Sequence, residues 1–133
     1  MTEPTRIIVE TDKAPGAIGP YSQAVKTDSM VFVSGQLALE PATGNLVNGD
    51  IKSETRQAMQ NLKNILEAAG SSLEKVVKIT LFIKDMNDFP VINEIYAEFF
   101  QGNPPARACV EVARLPKDAN FEVEAVGLLH SAI

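Results

Sequence analysis

Between Lys75 and Lys84, apolar residues alternate with mixed ones: Val77, Ile79, Leu81 and Ile83 fall on one side, and Val76, Lys78, Thr80 and Phe82 on the other. A period of two residues predicts a strand. From Ile51 to Ala69 the period lengthens. Ile51, Thr55, Ala58, Leu62, Ile65, Leu66 and Ala69 recur at helical spacing, Asp50 stands where a cap is wanted, and Gly70 follows where a left-handed residue ends a helix. A second helix is predicted from Asp88 to about Phe100, with Pro90 in its first turn, where a missing N–H matters least, and with GNPP stopping it.

The remaining patterns are extended. Ile7 to Val9 reads as a short strand, and the run from Ala24 to Leu39 is broken at Thr27-Asp28-Ser29, which predicts a hairpin. Its second arm carries Met30 and Phe32 on one face and Val31, Val33 and Leu37 on the other, so neither face suits water. Two further strands, roughly Ala106 to Ala113 and Phe121 to Leu129, are joined by LPKDAN and are expected to pair. The order β, ββ, α, β, α, ββ predicts an α+β domain spanning 1–133, with one mixed sheet and two helices on one face. Two helices leave the other face bare. Because that face is also apolar, self-association into a closed oligomer is expected.

Composition narrows the function classes. A mean hydropathy of +0.01 with 45% hydrophobic residues describes an ordinary globular chain. A net charge of −5 and a pI near 4.8 work against nucleic-acid binding, and no Lys/Arg run compensates. One cysteine and one histidine allow neither an internal disulfide nor a Cys/His metal cluster, so no metal is expected. The first residues lack a signal-peptide pattern and no apolar run is long enough to span a bilayer, which together predict a cytoplasmic, non-membrane protein.

The chain lacks G-x-S-x-G, a phosphate-binding glycine loop and H-E-x-x-H. His130 has nothing to position it, so a general base must come from elsewhere. Alternation places Arg107, Cys109 and Glu111 on one side of their strand, and Glu122, Glu124 and Val126 on one side of the last. If the two strands pair, Arg107 and Glu122 can share a space, either as a carboxylate anchor with a proton-transfer group or as a structural ion pair. Spacing alone leaves both open. Cys109 has no neighbouring base and reads as a buried thiol or a nucleophile. Tyr21 stands in the loop GPYSQA, Gly35 interrupts a strand as at sites of close approach, and Asn93 shares the Phe89, Tyr96 and Phe100 side of the second helix.

Together GPYSQA, FVSGQ, KDMNDF, NEIYAEFF and PARACVEVARLPKD followed by FEVEA resemble the RidA/YjgF family, the reactive intermediate deaminases, from the first strand to Leu129. The resemblance implies a chorismate-mutase-like fold assembled as a homotrimer, with clefts between subunits. It implies hydrolysis of 2-imino acids and their enamine tautomers, such as 2-iminobutanoate and 2-iminopropanoate, to 2-keto acids and ammonia, without metal or organic cofactor. By matching motif, Arg107 binds the substrate carboxylate, Glu122 positions or activates water and Tyr21 closes the site. Ser34, Gly35, Asn93 and the main chain at Cys109 complete the pocket. Ala108, where many relatives carry serine, and Phe121 depart from the pattern without removing a proposed catalytic group. A non-catalytic keto-acid-binding regulator is the alternative. A ribonuclease role fits poorly with the acidic balance, and on a chaperone role the residues are silent.

Overall fold

The computed structural model describes residues 3–47 and 49–130. Strands β1 (Ile7–Val9), β2 (Ala24–Lys26) and β3 (Met30–Gln36) form an antiparallel meander. The β2–β3 turn is held by Thr27, whose N–H donates to the Met30 carbonyl at 2.8 Å and whose hydroxyl oxygen accepts from the Met30 N–H at 3.1 Å. Beyond Gln36 the strand is interrupted, and among the described residues a single bridge, Leu39 to Leu46, continues the extended run.

Helix α1 (Ile51–Ala69) starts and stops where its caps dictate. Asp50 accepts from the Ser53 N–H at 2.8 Å. Gly70, at φ 89°, turns the chain while its N–H and that of Ser71 satisfy the Glu67 and Leu66 carbonyls. Ala58, Met59, Leu62, Ile65 and Leu66 on α1 are fully buried against Val31, Ile79, Leu81, Phe121 and Val123 of the sheet. Full burial of each large aliphatic side chain is worth about 2 kcal/mol, so this layer dominates stability.

Strand β4 (Val76–Ile83), helix α2 (Phe89–Phe99) and strand β5 (Ala106–Glu111) form a parallel crossover, and β6 (Phe121–Leu128) completes the sheet in the order β1-β2-β3-β6-β4-β5. Both helices share one face, since Ile92 and Tyr96 of α2 join the cluster built on α1.

Two sequence expectations change here. Strands β5 and β6 do not pair: β4 lies between them, parallel to β5 and antiparallel to β6. A helix laid across the sheet between β4 and β5 forces a parallel neighbour, and the hairpin-like loop after β5 does not override it. The second change is local. An irregularity between Val76 and Lys78 against β6 turns Val76 into the core and leaves Val77 exposed, the reverse of simple alternation.

The helix-free face carries Ile8, Val25, Phe32 and Val126 across four registered strands, with Met30 opposite Leu128 beside them. Ile8, Phe32 and Leu128 are each more than 40% exposed, an apolar stripe that accords with the expected uncovered face. No helix among the described residues is long and apolar enough to cross a membrane.

Candidate functional site

The site residues singled out from the sequence fall into two groups on opposite faces of the sheet. On the helix-free side, a cavity of about 580 Å³ is lined by Tyr21, Ser34, Gly35, Leu37, Phe82 and Glu122, among others. Glu122 stands opposite Phe82, and its flanking residues Phe121 and Val123 point into the core. Burial, reinforced by the nearby Glu124 charge, pushes the Glu122 carboxyl above the usual carboxylate range, as suits a group that exchanges a proton.

Gly35 explains how Glu122 fits. A Cβ at position 35 would lie 2.9 Å from both the Cδ and Oε2 of Glu122, so the missing side chain is the space the carboxylate occupies. Ser34 donates its hydroxyl proton to the Ser22 carbonyl at 2.6 Å, which leaves its oxygen to the cavity as an acceptor. Tyr21 is half-exposed at the cavity wall. Its loop is pinned by Gln23, which sequence reasoning did not assign. The buried Gln23 amide donates to the Thr11, Ala14 and Pro15 carbonyls and accepts from the Thr11 N–H at 2.7 Å. The only sequence hint was an amide placed immediately before a strand.

The second group stands where β5 meets α2. Arg107 is in register with the core residue Ile79 and therefore faces the helix side, away from Glu122. Within one chain the two do not share a space, which corrects the expectation built on β5–β6 pairing. Nor does Arg107 form the alternative ion pair. Arg56 binds Glu98 at 3.0 Å and Arg114 binds Asp118 at 2.7 Å, whereas Arg107 has no carboxylate partner among the described residues. Instead its Nη1 donates to Asn93 Oδ1 at 2.8 Å, and its Cζ lies 4.7 Å from the Tyr96 ring centre and 5.3 Å from that of Phe89.

Cys109, two residues along β5, packs against the core, and burial pushes its thiol upward against the opposing influence of Arg107. A thiol held protonated is a poor nucleophile, so Cys109 reads as a packing residue. No cluster of three or more His, Cys, Asp or Glu side chains able to hold a metal ion occurs among the described residues.

One copy thus presents at a sheet edge a guanidinium with no carboxylate partner among the described residues, and separately a cavity with a perturbed carboxylate. Comparison with known proteins points to a family. The family model described as Endoribonuclease L-PSP matches residues 11–129. A RutC family protein of Pyrococcus horikoshii is 54% identical over 119 residues, 90% of this chain and 94% of its own. The human 2-iminobutanoate/2-iminopropanoate deaminase is 48% identical over 128 residues, covering 96% of this chain and 93% of its own. Among solved structures, E. coli TdcF with bound serine superposes with a TM-score of 0.89 at 48% identity, covering 93% of this chain and 99% of that one. The chain belongs to the Endoribonuclease L-PSP family, also known as the RutC/YjgF/RidA family.

Proposed function

We propose that this protein is a hydrolytic deaminase of 2-imino acids and their enamine tautomers, releasing 2-keto acids and ammonia, with 2-iminobutanoate and 2-iminopropanoate as substrates. The observation that carries the reading is Arg107, a guanidinium without a carboxylate partner among the described residues, held by Asn93 and two rings. Relatives named as 2-iminobutanoate/2-iminopropanoate deaminase support it. In the cell such imines arise from pyridoxal-phosphate-dependent dehydratases, and the enzyme clears them in the cytoplasm.

The site is completed between copies. Because Arg107 and Glu122 occupy opposite faces of one sheet, the edge strand β5 of one subunit brings Arg107 to the Glu122 cavity of its neighbour, within a homotrimer closed over the apolar sheet face. The guanidinium fork binds the substrate carboxylate, and Tyr21 and Phe82 wall the reacting carbon from bulk water. Glu122 takes a proton from water as its oxygen bonds to the carbon of the protonated iminium, giving a neutral carbinolamine. It returns that proton to the nitrogen and, as the C–N bond breaks and ammonia leaves, takes up the proton of the carbinolamine hydroxyl so that the carbonyl forms. An iminium carbon is already electrophilic, so orientation and one general acid/base suffice.

The test is ammonia release from 2-iminobutanoate generated in situ by a threonine dehydratase. Loss of the bidentate anchor in Arg107→Ala should lower kcat/KM by about 10²-fold or more. No acceleration by the wild type, or an unchanged rate in the variant, refutes the proposal. A second reading, a small-molecule-binding regulator, draws on the relative solved with serine bound. Saturable 2-ketobutyrate binding with no turnover would favour it.

A further inference from the structure

We infer that Tyr96 and Phe89 are positioning residues, an aromatic support on α2 that presents Arg107 to its anionic ligand, and that the rings rather than the Tyr96 hydroxyl do this. The inference rests on the reading of Arg107 as an anion anchor. Residues 89, 93 and 96 are spaced four and three apart, so one stripe of α2 carries ring, amide and ring. That stripe meets Arg107 because the crossover β4-α2-β5 lays α2 beside the strand it leads into.

Both ring centres lie within the roughly 6 Å range over which a guanidinium is attracted to a π face. Asn93 occupies one of the five guanidinium N–H groups, leaving about four for a ligand. With faces against rings and one edge fixed, an otherwise mobile side chain is ordered before ligand arrives, and its open edge suits a planar carboxylate. Tyr96 is 94% buried and packs on Phe100 at 4.8 Å between ring centres, so its own position is fixed. Its hydroxyl is buried and has no hydrogen-bond partner among the described residues. The Arg107 charge nevertheless reaches that hydroxyl and opposes the upward push burial gives it, so the share of the rings is separated from that of the hydroxyl by comparing Tyr96→Phe with Tyr96→Leu.

The test compares Tyr96→Phe with Tyr96→Leu in the full chain, each checked for a cooperative melt. The probe is 2-ketobutyrate, with Kd measured by calorimetry and kcat and KM measured on 2-iminobutanoate. Tyr96→Leu should raise Kd and KM about tenfold, roughly 1.4 kcal/mol, with kcat within about twofold, while Tyr96→Phe rescues both. In an Arg107→Ala background, Tyr96→Leu should add nothing further. A merely structural loss would instead persist in that background and overturn the inference, as would a Tyr96→Phe variant as impaired as Tyr96→Leu. Should the wild type neither bind the keto acid nor turn over the imine, the anchor reading fails on its own. Positioning is then decided by NMR: the Arg107 side-chain resonances must be ring-current shifted in the wild type and relax toward ordinary values in Tyr96→Leu, and unshifted wild-type resonances refute it.

Discussion

Substitution of Gly35 by alanine should separate activity from stability. Gly35 is not at positive φ, so alanine meets no backbone strain, and the nearest atoms to the new methyl group all belong to Glu122. The 2.9 Å approach to Cδ and Oε2 is well inside the roughly 3.5–4.0 Å optimum for carbon contacts, so the carboxyl must retreat by about 0.6–1 Å. Because those atoms are the far end of a side chain, the retreat is cheap for the fold. Overpacking of about 1 kcal/mol is largely offset by the smaller unfolded-state entropy of alanine, about 0.4–1 kcal/mol. Catalysis is less forgiving, since a misplacement near 1 Å can lower the rate about 10²-fold, equivalent to about 2.7 kcal/mol of barrier. In the coupled dehydratase assay Gly35→Ala should therefore lose about 10²-fold in kcat. KM should change little, as Arg107 is untouched, and the melting temperature should move by no more than about 3 °C. A Gly35→Ala enzyme with wild-type kcat would refute the placement of Glu122 as the proton-transfer group.

Other expectations are equally specific. Glu54 is fully buried and its two carboxylate oxygens accept from the Asn120 main-chain N–H at 2.7 Å and side-chain amide at 2.9 Å, tying α1 to the start of β6. Glu54→Ala strands both donors and should cost about 3 kcal/mol in urea unfolding, and a loss below about 1 kcal/mol would contradict that role. The upward-shifted Glu122 must ionise to act as a base, so the acid limb of kcat/KM should lie above the ordinary value of about 4.3 and vanish with the activity in Glu122→Gln. The same shift means the fold favours the neutral carboxyl. Its stabilising contribution is present below the ordinary carboxylate range and lost as pH rises through the raised value, so Glu122→Gln should melt higher than wild type at neutral pH and equally at acid pH. Phe32→Glu puts a charge on the bare sheet face and should reduce the species seen by light scattering to the 14.4 kDa single chain, with activity lost as the shared site comes apart.

Much of this was legible because it is local. Asp50 and Gly70 bound α1, Thr27 turns β2 into β3, and alternation told which residues of β5 and β6 share a side. The neighbour order of strands is not local. Nothing in LPKDAN announces that β4 separates β5 from β6, so Arg107 and Glu122 were expected together when one chain holds them on opposite faces. A single extra residue at Val77 likewise defeated the alternation that held for Ile79, Leu81 and Ile83. Asn93 was placed on the Phe89, Tyr96 and Phe100 side of its helix, but its partner, Arg107, stands 14 residues away and was not foreseen. Gln23 and Glu54 went unassigned for the same reason: each works through groups 8 to 66 residues distant, which periodicity does not reach.

The central claim, that each site joins Arg107 of one copy to Glu122 of another, is tested most directly by complementation. Arg107→Ala and Glu122→Gln chains, each inactive alone, are unfolded, mixed in equal amounts and refolded together. With random assembly, roughly a quarter of the clefts receive an intact arginine from one chain and an intact glutamate from the next. The mixture should then recover about a quarter of wild-type ammonia release, and a mixture as inactive as its parents would contradict the account.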